Sequence, residues 1–203
     1  MNPYFRTPPV VKNLIIANCV IYLAVMLIPE VEHICAKYLQ LYWVGSPLFR
    51  SYQFVTYMFL HGSFAHLFGN MFALWMFGRT LEYELGSRRF LIYYMVCGIG
   101  AAILQMLVAW LTGDVYFSVI GASGAVMGLL LAFGVMHPNN MIYVMPLPFP
   151  IKAKWFVIGY AVLEIVLGSS GVNTGVAHFA HVGGMLWGLA LLFMWKKQGK
   201  IFF

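Results

Sequence analysis

The chain has 203 residues, of which 62% are hydrophobic and only 9% are charged. A soluble domain carries about a quarter charged residues, so this composition excludes a soluble globular protein and indicates one that crosses a membrane several times. The net charge of +6 does not indicate nucleic-acid binding, because the basic residues are spread thinly along the chain. Three cysteines without a CxxC pair indicate neither a disulfide framework nor a zinc site.

Six apolar stretches come close to the length of about 20 residues that a membrane-spanning helix needs. The fifth is the shortest. A long, aromatic-rich and amphipathic stretch, 30–64, joins the first two, and this composition is typical of the membrane interface. We interpret it as a partly membrane-embedded first outer loop with short helices. The predicted spans are 11–29, 65–83, 90–112, 118–136, 153–168 and 177–195.

Lysine and arginine are distributed unevenly over the predicted loops. If the N-terminus is cytoplasmic, ten of the twelve lie in inner segments, and only Lys37 and Arg50 lie outside. An excess of basic residues marks the cytoplasmic side. The sequence therefore predicts an all-α, six-span bundle in one domain, 1–203, with short cytoplasmic tails. The compact six-span form and the lack of a transit-peptide pattern favour a bacterial plasma (inner) membrane. In this topology the second, fourth and sixth spans all run inward from the outer side.

Polar residues cluster near the outer ends of these three inward-running spans. His66 and Asn70 open the second span, Ser123 opens the fourth, and His178 and His181 open the sixth. At a rise of 1.5 Å per residue, all of these groups lie at a similar depth below the outer surface. Polar residues inside a bilayer are costly and mark a functional site by default. We therefore expect one site at this depth.

The residue types in this cluster are those of nucleophilic catalysis. A serine hydroxyl needs a base to take its proton, and Ser123 with His181 would supply both groups. Asn70, His66 and the Ser123 backbone N–H could donate to a developing oxyanion. As a single residue, Ser123 is also compatible with a packing role in a membrane helix.

No acidic third member of a catalytic triad is expected. Asp114 is the one aspartate and lies in an outer loop. Glu164 lies well along the fifth span, and we expect it at a different depth, with Tyr160 as a candidate partner one turn earlier. The sequence therefore predicts a Ser–His dyad whose imidazole is oriented by packing.

Glycines surround the predicted nucleophile and recur at helical spacing. Gly121 and Gly124 allow backbone to approach Ser123 closely. Gly124 and Gly128 on the fourth span, and Gly184 and Gly188 on the sixth, form small-xxx-small faces, which are typical of tightly packed membrane helices. We expect these two spans to be in close contact, as a serine–histidine hydrogen bond requires.

Together, these motifs resemble the rhomboid family of intramembrane serine proteases. The resemblance covers the six-span core, which is essentially the whole chain, and three motifs occur in the family's order on the matching spans. They are His61-x4-His66-x3-Asn70, then Gly121-Ala122-Ser123-Gly124, then Ala180-His181-x-x-Gly184 continuing to Gly188.

The resemblance implies an activity and a role for each matching residue. Ser123 would be the nucleophile, His181 the general base, and Asn70 and His66 the oxyanion site, while His61 would be structural. The expected reaction is cleavage of the transmembrane segments of single-span membrane-protein substrates near the outer membrane face, without a cofactor. Family members gate access through the fifth span and the loop before the sixth.

Two positions depart from the family pattern, and one acidic residue matches it. Many members place an aromatic residue that stacks on the histidine where this chain has Met127, and many have Trp-Arg where it has Tyr52-Gln53. Glu82 matches an acidic position of the family, and we expect it to be structural and near the cytoplasmic end.

Other interpretations remain open. His178 could be a metal ligand, a wall of the site or a loop anchor; we expect a wall or an anchor, and no metal. A metalloprotease would need HExxH and an aspartyl protease two aspartates, and both are absent. The chain could also be a catalytically weak rhomboid-like protein that binds membrane clients, or a small transporter that uses its histidines.

Overall fold

The computed structural model describes residues 6–144, 148–172 and 174–201, and these are mostly helical. Short two-stranded ladders join β1 to β2 and β3 to β4, both antiparallel. In chain order the elements are α1 (Pro9–Leu27), α2 (Pro29–Ile34), β1 (Leu41–Tyr42), α3 (Gln53–Thr56), α4 (Phe64–Ala73), α5 (Arg79–Leu85), α6 (Ser87–Thr112), β2 (Ser118–Val119), α7 (Ser123–Met136), β3 (Met141–Ile142), β4 (Ile151–Lys152), α8 (Ala153–Ser169) and α9 (His178–Lys197).

Helical structure occupies each of the six predicted ranges. Among the described residues, three helices are long and apolar enough to cross a membrane: α1, α6 and α9. A π-helical segment, Leu74–Gly78, joins α4 to α5, so the second predicted span is continuous helix. Because α7 has 14 residues and α8 has 17, six crossings remain a prediction.

The fourth predicted span begins later than the sequence suggested. Residues Ser118–Val119 are not helical but form β2, which pairs with Leu41–Tyr42 of the first outer loop. Gly121 then adopts a φ of +121°, a backbone conformation that interrupts helix and that only glycine adopts readily. The helix therefore starts at Ser123, and the predicted boundary of 118 was wrong.

The first outer loop contains short helices, as predicted, and one side chain ties its parts together. Gln53 is completely buried. Its amide nitrogen donates to the carbonyl oxygens of Tyr38 and Leu48, at 3.0 and 2.9 Å, and its amide oxygen accepts from the Tyr42 N–H at 3.3 Å. Neighbouring Tyr52 is 46% exposed. Of the two residues that replace the family's Trp-Arg, Tyr52 is thus exposed and Gln53 is buried.

Helices α6, α7 and α9 form the centre of the bundle and approach one another at glycines. A Cβ atom on Gly184 would lie 1.8 Å from the carbonyl oxygen of Gly124, and one on Gly128 would lie 2.3 Å from the Cys97 sulfur. Tyr93 of α6 is fully buried and donates to the carbonyl oxygen of Gly128 at 2.9 Å. The predicted close contact of the fourth and sixth spans is confirmed.

At the opposite end of the bundle from Ser123, Glu82 holds the start of α1. Its two carboxylate oxygens accept from the backbone N–H groups of Val10 and Val11 at 3.0 and 2.8 Å, and Oε1 also accepts from the Ser87 hydroxyl at 2.6 Å. The first N–H groups of a helix have no partner within it, and a carboxylate there also suits the helix dipole. The structural role expected for Glu82 fits these contacts.

We expect Glu82→Ala to destabilise the fold by about 3 kcal/mol, because one buried and one part-buried N–H group lose a charged acceptor. The measurement is thermal unfolding of the purified protein in detergent. Glu84→Ala is the matched control: Glu84 lies two residues away and, in the described part of the chain, pairs with His137 at the surface, which should contribute less than about 1 kcal/mol. Equal midpoints for the two variants would contradict this role for Glu82.

Candidate active site

Ser123 and His181 meet where α7 and α9 begin. Ser123 is the first residue of α7, and His181 lies in the first turn of α9. Their atoms Oγ and Nε2 are 2.8 Å apart, so the serine hydroxyl can donate to this nitrogen. His181 is 7% exposed. The contact between the two side chains agrees with the sequence analysis, and their catalytic roles remain predictions.

A cavity of about 590 Å³ opens onto this pair. Its walls come from α4, α7, α8 and α9 and from the loops that precede α4, α7 and α9. Of the predicted site residues, those that line it are His66, Asn70, Gly121, Ser123, Gly124, Met127 and His181.

The predicted oxyanion groups line the same cavity as the serine and come from α4 and from the start of α7. Asn70 is buried and donates from its amide nitrogen to the carbonyl oxygen of His66 at 3.1 Å, which leaves a second amide hydrogen. The Ser123 N–H is at a helix start, where N–H groups lack intrahelical acceptors. Two donors that line the cavity are therefore available to a new charge.

Because Gly121 has no side chain, the ring of His66 can pack against the loop that precedes Ser123. A Cβ atom at Gly121 would lie 2.7 Å from His66 Nε2 and 3.8 Å from the Ser123 oxygen. Any side chain here would displace the His66 ring and would also have to adopt the φ of +121°. The first glycine of the GxSG motif is therefore required here for steric reasons.

His61 and the glycines of α9 support the site from behind. The His61 ring packs edge-on against His66, with centroids 4.9 Å apart. Burial, reinforced by neighbouring His66, lowers the pKa of His61 to about 4, so this loop residue is neutral at pH 7. Gly184 and Gly188 face α7 and α6 respectively. None of these three residues lines the cavity.

The expected location of Glu164 was wrong. The residue is 3% exposed, and its carboxylate oxygen Oε1 lies 3.0 Å from His181 Nδ1 while Oε2 lies 2.6 Å from His178 Nδ1. Tyr160, the expected neighbour, also interacts with this carboxylate. The fifth helix runs from the inner to the outer side in the predicted topology, so a residue far along it is near the outer end, at the depth of Ser123.

This contact also changes the expectation that packing alone orients the imidazole. Met127 lines the cavity one turn after Ser123, but a carboxylate faces the far nitrogen of His181. The Nδ1···Oε1 separation is that of an ion pair, although the N–H is not aligned well enough to form a regular hydrogen bond. Sequence reasoning could have found Glu164 by counting its depth from the outer end of its span.

His178 anchors the loop that precedes α9. Its Nδ1 donates to Glu164, and its Nε2 is 2.6 Å from the hydroxyl of Thr174. His178 is buried but does not line the cavity. These contacts agree with the anchor role expected for it and not with a wall of the site.

Among the described residues, Glu164, His178 and His181 form the one group of side chains with the composition of a metal site. Two ligands of a tetrahedral zinc ion, each about 2.0 Å from the metal, lie about 3.3 Å apart. The separation of 2.6 Å between Glu164 and His178 is too short for that arrangement. The spacing is that of a hydrogen bond.

Comparison with known proteins identifies the family. The family model of the Rhomboid domain matches residues 48–198, about three quarters of the chain. The chain belongs to the rhomboid family. The resemblance inferred from the three motifs is therefore confirmed at the level of the family.

Curated relatives of this chain include rhomboid proteins of organelles and bacteria. Rhomboid-like protein 11, chloroplastic, of Arabidopsis thaliana is 30% identical over 72% of this chain and 53% of its own length. The mitochondrial Rhomboid protein 1 of Saccharomyces cerevisiae is 30% identical over 92% of this chain and 54% of its own. Rhomboid protease AarA of Providencia stuartii is 29% identical over 64% and 51%. The chain spans about half the length of these relatives.

We expect Gly184→Ala to separate Ser123 from His181, because the added methyl group would collide with the carbonyl oxygen of Gly124 and α9 would have to move. The rate of Ser123 labelling by a fluorophosphonate should fall at least about tenfold, as small misplacements of reacting groups cost about that or more.

Gly159→Ala is the control for this prediction, because Gly159 is also helical and has nothing within 4 Å of its added Cβ. It should label at the unmodified rate. If Gly184→Ala also labels normally, the close approach of α7 and α9 is not what aligns the pair.

Proposed function

We propose that this rhomboid-family protein is an intramembrane serine endopeptidase that cleaves the transmembrane segments of single-span membrane proteins. One observation carries the proposal: the Ser123 oxygen lies 2.8 Å from His181 Nε2, on a cavity with donors beside it. A packing serine would not need a histidine partner at this distance. Family membership and a relative named as a protease add support.

The reaction would follow the chemistry of acyl transfer by an activated serine. His181 Nε2 takes the hydroxyl proton as the Ser123 oxygen attacks the scissile carbonyl carbon. The resulting oxyanion accepts hydrogen bonds from the Asn70 amide and the Ser123 N–H, and His66 lies next to it. His181 then donates the proton to the leaving amine. A water molecule, deprotonated by the same imidazole, hydrolyses the acyl-enzyme and releases Ser123.

The location of the cavity supports cleavage near the outer membrane face. The helices α4, α7 and α9 contribute their N-terminal ends to it, and with six crossings these ends share one side. The ten-to-two distribution of basic residues favours the side opposite the cytoplasm and cytoplasmic termini. A bacterial inner membrane remains part of this proposal, since relatives carry chloroplastic and mitochondrial names.

Loss of the serine should abolish the activity. We expect the protein in proteoliposomes to cleave a co-reconstituted single-span substrate, and a fluorophosphonate probe to label Ser123. Ser123→Ala should remove both signals, and His181→Ala should reduce them to background because the hydroxyl then has no base. Cleavage that survives Ser123→Ala would rule out the serine-protease assignment.

Loss of the Asn70 amide should slow the chemical step. We expect Asn70→Ala to lower kcat by about 100-fold or more with little change in KM, the effect of removing one oxyanion donor. Gly69→Ala is the neighbouring control, because nothing lies within 4 Å of its added Cβ. A change confined to KM would assign Asn70 to substrate binding instead.

A non-catalytic rhomboid-like protein that binds membrane clients is the second candidate, favoured by the several relatives that are named only as rhomboid-like. It predicts substrate co-purification without probe labelling of Ser123. A transporter predicts proton or cation flux in proteoliposomes, whereas a protease predicts none.

A further inference from the structure

We propose that Glu164 is a positioning residue that orients His181, so that the site works as a Ser–His–Glu triad and not as a dyad. This inference rests on the proposed protease function. It concerns a carboxylate on α8 that touches neither the cavity nor Ser123, and that acts only through the imidazole.

The two nitrogens of His181 face two different partners. Nε2 lies 2.8 Å from the Ser123 oxygen, and Nδ1 lies 3.0 Å from Glu164 Oε1. To accept the serine proton, Nε2 must be unprotonated, so Nδ1 carries the hydrogen. That hydrogen is buried and has no other hydrogen-bond partner among the described residues. The carboxylate therefore selects the reactive tautomer and stabilises the imidazolium that forms.

The imperfect alignment of this contact is consistent with a resting enzyme. Hydrogen bonds of catalytic groups are often poorly aligned without substrate and tighten in the reacting complex. The distance of 3.0 Å is already within hydrogen-bond range.

The second oxygen of Glu164 is held by His178, which in turn contacts Thr174. Oε2 accepts from His178 Nδ1 at 2.6 Å, and His178 Nε2 can in turn accept from the Thr174 hydroxyl. With Nδ1 protonated on both histidines, each donor in the series Thr174–His178–Glu164–His181–Ser123 faces an acceptor, and only the His181 Nδ1–H is not yet aligned with its acceptor. This consistent assignment of protons holds the carboxylate in one orientation.

The surroundings of Glu164 on its own helix also point to a positioning role. Only Ala153, Val157 and Glu164 are buried on α8, so a carboxylate is the one buried residue in the second half of the helix. An apolar side chain would attach the helix without the cost of burying a charge. Buried ionisable residues in membrane proteins are mostly functional.

The test compares Glu164→Gln and Glu164→Asp with the unmodified protein, using kcat and KM on a reconstituted single-span substrate, the rate of Ser123 labelling, and thermal unfolding. Glutamine offers one acceptor where two Nδ1–H groups need one each. We expect kcat and labelling to fall at least about 100-fold, in line with amide replacement of a triad acid, with KM within about twofold. Aspartate restores the second carboxylate acceptor, so kcat and the labelling rate of Glu164→Asp should be at least about tenfold higher than those of Glu164→Gln.

Glu84→Gln is the matched control, because Glu84 also lies 3.0 Å from a histidine, His137, but on the protein surface. It should retain unmodified kinetics. If Glu164→Gln keeps the unmodified kcat and labelling rate, or loses activity only in proportion to lost folded protein, the positioning role is wrong and the carboxylate is a structural tie. Ser123→Ala would still report on the protease assignment separately.

Two further measurements test the His181 tautomer and the alternative of a metal site. Nitrogen-15 NMR of the unmodified protein should detect His181 with Nδ1 protonated and Nε2 unprotonated at pH 7; the opposite tautomer would overturn the proposal even if Glu164→Gln fails to fold. Activity that a chelator removes and zinc restores would overturn it in favour of a metal site at Glu164, His178 and His181.

Discussion

The close approach of α7 and α9 is the constraint on which the site depends. The two backbones meet where Gly184 faces the carbonyl oxygen of Gly124, at a distance that leaves no room for a Cβ atom. Apolar side chains gain little by leaving lipid for a protein interior, so membrane helices associate mainly through such close backbone packing. Ser123 directly precedes Gly124, His181 lies about one turn before Gly184, and these two side chains share a hydrogen bond. The same glycines therefore pack the bundle and set the distance between the two reacting groups.

Around this contact, polar side chains on both sides of the serine–histidine pair contact one another. The serine–histidine pair opens to the cavity, and the cluster of Glu164, His178 and Thr174 lies behind it on the side of α8. On the other side His66 packs between Gly121 and His61. These contacts give the polar groups polar neighbours. They stabilise the site because an unpaired polar group is costly where little water reaches.

Most of the site could be predicted from the sequence, because polar residues in apolar helices are rare and stand out. The positions of the polar residues along the predicted spans were enough to predict that Ser123, His181 and Asn70 share one site. Glu164 was missed because its depth was judged without counting from the outer end of a helix that runs outward. The start of the fourth span was also missed, since hydropathy does not detect the turn that Gly121 imposes. The contacts of Gln53 with three loop segments have no sequence signal, because they depend on tertiary structure.

The way Gln53 holds the first outer loop has a consequence for how that loop responds to its environment. Its three hydrogen bonds to backbone groups involve a side chain that carries no charge and does not titrate. Ionic strength, acidification and anionic lipid headgroups act on charged groups, so none of them competes directly for this attachment. The attachment of the loop at Gln53 should therefore be the same in membranes of different lipid charge.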